Sequence, residues 1–352
     1  MTSQPTSVVS HRCSKDNPRP ALTLGSLLAA LLLLTAFVRT ACAEWLGDTR
    51  SIMGTEVRVQ LWDEDGNGPG AVEAVFAEFN RIDRLMSTYK EDSRISLINR
   101  EAASHAVPAG KELFDLIVRA LDMSVLTHGA FDITFDSVGQ FYDFREHKRP
   151  DAATIAEEVE LIDYRLVETH PKDHSIRFLK DGVRINLGGI AKGYAVERAA
   201  GILRDLGIQH AVVSAGGDSR LLGDRRGQPW VVGVRDPRQE GAVAVRIPLE
   251  SEAISTSGDY ERFFIEDGKR YHHIIEPSTG EPASGVHSAT IVGPDAVITD
   301  ALSTSVFVVG VDKGLRLIAA LPDYEAIVID AEGRMFYSDG LRPPDTGNVP
   351  PD

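Results

Sequence analysis

The sequence predicts an α+β (α/β) fold of largely antiparallel sheets with flanking helices, and three observations predict it. From Trp230 onward, short strand-like segments follow one another in hairpin fashion: WVVGVR, VAVRIPL, EAISTS, RFFIE, YHHII and SATIVG. Helical segments interrupt these runs instead of alternating strictly with them, which argues against a doubly wound parallel sheet. Several of the helical segments are amphipathic and stop at glycine.

Taken in order, Ile52 to Trp62 alternates at Val57, Val59 and Leu61 and reads as a strand. The turn cluster DEDGNGPG follows. Ala71 to Met86 then places Val72, Val75, Phe76, Phe79, Ile82, Leu85 and Met86 at helical spacing. A second helix is expected from Lys111 to His128, closed by Gly129. GVRINL reads as a strand, Ile190 to Leu206 as a helix closed by Gly207, and AVVSAGG as a buried strand entering a glycine turn. A further helix is expected from Asp300, then a helix and strand around LRLIAAL and EAIVID. No internal repeat and no linker divides residues 44–341, which are expected to form one domain. The tail 342–352, RPPDTGNVPPD, is proline-rich and expected to be disordered.

A hydrophobic content of 43% over 352 residues is enough for a sizeable core. The formal net charge of −15 argues against nucleic acid and anionic membrane as partners. A phosphate-bearing ligand must therefore be held by local geometry or by a cation.

The first 43 residues are a different material. Arg12, Lys15 and Arg19 precede an apolar run from Ala21 to Val38, and Ala41-Cys42-Ala43 has the small residues that a signal peptidase accepts. Export to the periplasm is expected, with Glu44 as the first mature residue. A lipoprotein at Cys42 and an uncleaved membrane anchor are the alternatives. Cleavage after Ala43 removes Cys13 and Cys42, the only two cysteines, so the mature chain has no disulfide or thiolate chemistry. It also removes four basic residues and one acid, taking the net charge to about −18.

Three stretches carry chemistry. INLGGIAKGYA, residues 185–195, sets adjacent glycines, a lysine and a third glycine before a helix. It fits neither the P-loop spacing nor the dinucleotide fingerprint. Such a turn can still bring backbone N–H groups and a helix dipole to an anion, or simply pack a strand tightly against a helix. In VITDALSTSVFVVG, Asp300, Ser303 and Thr304 fall three and four apart, a hard-oxygen set suited to Mg²⁺, with helix capping as the alternative. In KRYHHIIEPSTGEP, His272 and His273 point to opposite faces of a strand; one of them could accept a proton, or both could be ordinary core or surface residues.

Together these stretches resemble the ApbE-type FAD:protein FMN transferases. The resemblance runs in order through IMGTEVRV, STYKEDSRISLIN, GAFDIT, INLGGIAKGYAVERA, VVSAGGD, WVVGVRDP, AISTSGDYERFF, HHIIEPSTGEP and SATIVGPDAVITDALSTSVFVVG. It implies an ApbE/T-fold-like body that holds FAD in a cleft with Mg²⁺ on the pyrophosphate. The implied activity moves FMN from FAD to a threonine hydroxyl of an exported or membrane flavoprotein and releases AMP. Implied acceptors are subunits of sodium-translocating quinone reductases, of Rnf-type complexes, or of the nitrous-oxide-reduction regulator.

Carried over by residue, the resemblance implies that Met53 and Tyr89 line the flavin nucleotide, with Tyr89 stacking, and that Ala130, Phe131 and Asp132 continue that wall. Asn186, Lys192 and Ile275 would contact FAD. Gly189 would offer its carbonyl to Mg²⁺ beside Asp300, Thr304 and Ser303, and His273 would be the catalytic base. Two departures stand out: Asn186 occupies a position where the family commonly has aspartate, and Glu276 occupies one where it usually has aspartate before proline. Two rival readings stay open: a Mg²⁺-dependent FAD pyrophosphatase, with the same site and water as acceptor, and a flavin-binding protein without chemistry, which these departures keep alive.

Overall fold

The computed structural model describes residues 43–239 and 241–342. The expected export signal through Cys42 and the tail from Pro343 lie outside the described residues. An antiparallel hairpin begins the described fold, β1 (Glu44–Ile52) and β2 (Thr55–Asp63). The sequence reading placed one strand over Ile52 to Trp62. The chain instead reverses at Met53-Gly54, where φ is +54° and +70°. A two-residue turn with both φ positive matches strand twist, but methionine is not a usual occupant, so the hairpin signal is hidden.

Next come α1 (Gly68–Met86), α2 (Arg94–Glu101), β3 (Val107–Pro108), α3 (Lys111–Leu126), α4 (Asp136–Gly139), α5 (Ala152–Glu158), β4 (Val167–His170) and β5 (Ser175–Phe178). The DEDGNG turn forms because Asp63 Oδ1 accepts the Gly66 and Asn67 N–H groups at 2.9 and 3.1 Å. Helix α2 was not expected; Ser93 caps it by accepting from Ser96 N at 3.1 Å.

The second half holds α6 (Ala191–Asp205), β6 (Ala211–Ala215), β7 (Asp218–Leu222), β8 (Trp230–Arg235), β9 (Val243–Leu249), β10 (Ala253–Gly258), β11 (Phe263–Glu266), β12 (Lys269–His272), β13 (Val286–Gly293), α7 (Ala296–Val309), α8 (Val311–Ala319), β14 (Glu325–Asp330) and β15 (Met335–Tyr337). The expected stops hold: Gly129 and Gly207 each take a φ of +81° just beyond α3 and α6.

Eight strands form one sheet in the order β1-β2-β6-β7-β10-β13-β14-β15. Every neighbouring pair is antiparallel, as the hairpin-like sequence pattern predicted. Alternation along the strands separates two cores. Leu222, Ala253, Ala289, Ile291, Ala326 and Val328 face the main core, shared with Phe76, Phe79, Val196 and Phe307 of the helices. Leu221, Ile254, Val292 and Ile327 face the other way, onto Trp230, Val234, Ile247 and Leu249 of the β8–β9 hairpin.

Two expectations need correction. GVRINL leaves a turn at Gly182 and belongs to no strand. Its hydrogen bonds go to a side chain: Asn99 donates to Ile185 O at 2.9 Å and accepts from Ile185 N at 2.8 Å, while Asn186 N donates to Ile133 O at 2.9 Å. An amide side chain here does the work of a neighbouring strand. The helix expected from Asp300 starts a turn earlier, because Asp295 caps it by accepting from Val297 N at 2.8 Å and Ile298 N at 3.4 Å. Asp300 is therefore an interior residue of α7 and is not its cap.

The third glycine of the INLGGIAKGYA stretch sets the closest approach of α6 to α7. A Cβ on Gly193 would run into the carbonyl oxygen of Ala296 and lie 2.7 Å from Asp300 Cβ. Gly193→Ala is expected to cost about 3 kcal/mol, in the range of overpacked cores, read as a lowered midpoint in urea unfolding.

Candidate active site

A cleft of about 330 Å³ opens at one end of the sheet. Its walls come from the Met53-Gly54 turn, the Thr88-Tyr89 segment after α1, residues 130–133, the segment from Asn186 to Lys192, Gly216-Gly217, residues 256–258, Arg262, residues 273–275, and Asp300 and Thr304 of α7. Thus Met53, Tyr89, Ala130, Phe131, Asp132, Asn186, Gly189, Lys192, His273, Ile275, Asp300 and Thr304 all line one space. Ser303 is absent from that wall. Its hydroxyl donates to Asp300 O at 2.9 Å and pairs with Ser257 Oγ at 2.8 Å, so it braces the helix from behind.

At the deep end, Asp300 Oδ2 accepts from Gly193 N at 2.9 Å. Its other oxygen, Oδ1, lies 3.6 Å from the Lys192 ammonium. The same ammonium forms a close ion pair with Asp218, whose side chain is 1% exposed. Burial, then the charge of Asp218, pushes the Asp300 carboxyl up to about 7, against the pull of Lys192. Burial works against the charge on Lys192, but Asp218 and Asp300 outweigh it and hold the ammonium above its ordinary value. Two buried carboxyl groups thus share one ammonium, and Asp300 becomes fully ionised only above neutral pH or beside a further cation.

Thr304 Oγ1 lies 3.2 Å from Ser257 Oγ, and a Cβ on Gly189 would lie 3.2 Å from Thr304 Oγ1, so the Gly189 backbone runs directly past that hydroxyl. A carboxylate, a hydroxyl and a backbone segment make a hard-oxygen donor set that fits Mg²⁺. Among the described residues no three His, Cys, Asp or Glu side chains gather around a point. A donor set of so few protein oxygens would leave coordination positions to water and phosphate oxygens, as Mg²⁺ prefers.

Sequence reasoning missed Asp218 as a site residue. The available signal was an acid directly after the paired glycines of AGGD, at the start of a strand otherwise built of buried residues.

Along the other wall Tyr89 is 83% exposed, an aromatic face open to a ligand. Phe131 is buried. Asp132 lines the cleft, but its oxygens are committed: Oδ1 accepts from Thr134 N at 2.8 Å and Thr134 Oγ1 at 2.6 Å, and Oδ2 accepts from Tyr164 N at 2.8 Å. Its carboxylate shapes the wall.

Asn186 does two jobs. Its Oδ1 accepts from Gly188 N at 2.9 Å, folding the glycine turn. Its amide donates to Asp136 Oδ1 at 3.0 Å and to Thr88 Oγ1 at 3.3 Å. Asp136 is a second missed cleft residue, buried and also bonded by Arg184 Nε at 3.2 Å, with burial raising its carboxyl pKa. The amide at 186 thus answers a carboxylate at 136. Asn186→Asp would set a half-buried carboxylate against the buried Asp136, with an expected loss of about 2 kcal/mol in denaturant unfolding that the double change Asn186→Asp with Asp136→Asn recovers.

Strand β12 ends at His272, and the two histidines separate there. His272 is buried, with Nε2 2.9 Å from Ala283 O and its ring edge-on to Phe307. His273 faces the cleft, its backbone N–H donating to Arg262 O at 3.1 Å. Its Nδ1 is buried without a hydrogen-bond partner. Burial, then the charges of Arg262, His272 and Lys192, lowers its pKa to about 3. Before a ligand binds, the imidazole is therefore neutral throughout the physiological range, and the burial that keeps it so also makes it a weak base until an anion lies beside it.

The shift is downward, so the stability it contributes is present above the unfolded value near 6.5 and is lost as pH falls toward 3. Ring NMR of labelled histidines is expected to show His273 neutral at pH 4.5, and His273→Asn to flatten the fall in Tm between pH 6.5 and 4.

An antiparallel α+β body with one cleft that joins an aromatic wall, a neutral imidazole, two cationic side chains and a hard-oxygen donor set defines a protein built to hold a large phosphate-bearing ligand. The comparisons agree with that class. The ApbE family model matches residues 53–328. A Treponema pallidum FAD:protein FMN transferase is 30% identical, over 82% of this chain and 86% of its own. The ApbE protein of Thermotoga maritima superposes with a TM-score of 0.79 at 36% identity, covering 84% of this chain and 98% of its own. The flavin transferase ApbE of Vibrio cholerae gives 0.75 at 26% identity, covering 85% and 98%. This chain belongs to the ApbE family.

Proposed function

We propose that this chain is an FAD:protein FMN transferase, moving FMN from FAD to a threonine hydroxyl of an exported flavoprotein and releasing AMP. One observation carries the reading: a neutral imidazole, His273, opens onto the same cleft as the Lys192–Asp300–Thr304 cluster, in a chain of the ApbE family.

The threonine Oγ attacks the flavin-side phosphorus. The new Oγ–P bond forms as the bond from that phosphorus to the bridging pyrophosphate oxygen breaks, and AMP leaves with the electron pair. A threonine hydroxyl is a poor nucleophile at neutral pH, so its proton passes to the free ring nitrogen of His273. Lys192 offers an ammonium to the pyrophosphate, and Asp218 holds that ammonium in place. Asp300, Thr304 and the Gly189 carbonyl would hold Mg²⁺, which when bound supplies charge neutralisation on the phosphates. Tyr89, Met53, Phe131 and Ile275 provide the surface for the flavin nucleotide.

Export supplies the partner. The basic start, the apolar run from Ala21 to Val38 and the Ala41-Cys42-Ala43 site support a periplasmic protein meeting exported acceptor subunits, of the quinone-reductase, Rnf or nitrous-oxide-reduction regulator type.

The test incubates the purified protein with FAD, Mg²⁺ and an acceptor domain of the same genome, read by intact mass. An acceptor gaining one FMN, dependent on its threonine and on the metal, is the expected result; free FMN and AMP with an unmodified acceptor would mean that water is the acceptor. His273→Ala is expected to keep FAD affinity within about threefold while losing on the order of 10³ in transfer rate. Asp300→Ala is expected first to raise the Mg²⁺ concentration needed for half-maximal rate, and chelation of the wild type to abolish transfer reversibly.

A further inference from the structure

The Arg262 guanidinium is a cation that the site has not yet used. Antiparallel pairing sets Phe263 opposite His272 and Phe264 opposite Tyr271. One step further along the same register, Arg262 stands opposite His273, joined to it by the His273 N–H to Arg262 O bond at 3.1 Å. Residues directly opposed on an antiparallel pair share a face, so the two side chains leave the hairpin together, into the cleft that both line.

The guanidinium has one hydrogen-bond partner, Gly54 O at 3.4 Å, at the turn on the facing wall. No described carboxylate pairs with it, and the adjacent Glu261 is taken by Arg235 at 3.1 Å. In a chain of net charge −15, an arginine left without an acid inside a cleft is available to an anion. Lys192, Arg262 and His273 all line the same cleft, so the three groups surround one space.

We propose that Arg262 is a catalytic residue that binds the non-bridging oxygens of the flavin-side phosphate, the phosphorus attacked by the acceptor. This rests on the transferase reading above. A base that deprotonates the attacking hydroxyl stands about 3 Å from its oxygen, which itself stands about 3 Å from phosphorus. A cation beside the base is thus beside the reacting phosphate, while Lys192 serves the part of the pyrophosphate nearer Asp300. Its planar donors match phosphate oxygens in a way that an ammonium does not, and they gain strength as charge builds in the transition state. The same charge adds to burial in holding His273 unprotonated before substrate arrives and would be neutralised by the bound phosphate.

The experiment compares wild type, Arg262→Gln and Arg262→Lys in steady-state FMN transfer, with FAD affinity measured separately by flavin fluorescence and the His273 ring titrated by NMR in the free protein. The expected result is a fall in kcat of about 10²-fold for the glutamine variant, FAD affinity and acceptor KM within about fivefold, and partial recovery with lysine. The His273 titration midpoint should rise in Arg262→Gln, a readout independent of turnover. Transfer by the glutamine variant at the wild-type kcat overturns the proposal. So does an unchanged kcat with a raised acceptor KM, which would put the arginine on a carboxylate of the acceptor. If the wild type itself transfers no FMN to any acceptor, the function reading fails, whereas an active wild type with an equally active glutamine variant removes only the role of Arg262.

Discussion

The hydrogen bond from Gly193 N to Asp300 Oδ2 is the contact on which the site depends. It joins the first turn of α6 to the middle of α7, and it forms because position 193 has no Cβ to hold the helices apart. Through it the glycine turn at 188–189, the Lys192 ammonium and the Asp300 and Thr304 side chains arrive in one place. Asp295 contributes indirectly: by capping α7 one turn before Asp300, it leaves that carboxylate inside the helix, directed at α6 and not spent on its own backbone.

Charge in the cleft is unevenly distributed, and that distribution is its chemistry. Asp218, Asp300 and Lys192 set two carboxyl groups on one ammonium, and because the raised Asp300 carboxyl carries only part of a charge near neutrality, a cation that draws it into the ionised form is favoured there. A few residues away Arg262 and the neutral ring of His273 present the opposite character, which suits an anion and a proton. A pyrophosphate carrying Mg²⁺ has both faces. Burial of the Asp218 and Asp300 carboxyl groups makes their part of the arrangement effective, since a buried charge is screened far less than it would be in water.

The two departures from the family pattern have different structural standing. Asn186 is answered by Asp136: the acid lacking at one position is present at the other, on the same wall, and the pair is hydrogen-bonded. Glu276 sits in the turn after His273, where its N–H donates to Glu281 O at 2.8 Å and its carboxylate accepts from Ser278 Oγ at 2.9 Å. The longer side chain thus still braces the Pro-Ser-Thr-Gly turn, and its carboxylate is directed there and away from the base.

Much of this protein was legible in the sequence. Strand alternation and hairpin-like succession determined the antiparallel α+β class, because period-two burial is local and survives in any fold. The three chemistry-bearing stretches and the family resemblance together named thirteen site residues, of which twelve line the cleft and Ser303 does not. Tertiary structure alone decided which residues meet. GVRINL needed Asn99 instead of a strand, the Met53-Gly54 reversal hid inside an apparently continuous strand, and Asp136, Asp218 and Arg262 gained their places only when distant elements packed together. The physical reason is that backbone periodicity is written along the chain, whereas ion pairs, orphaned ring nitrogens and shifted pKa values depend on partners tens to hundreds of residues away, and those distances exist only after folding.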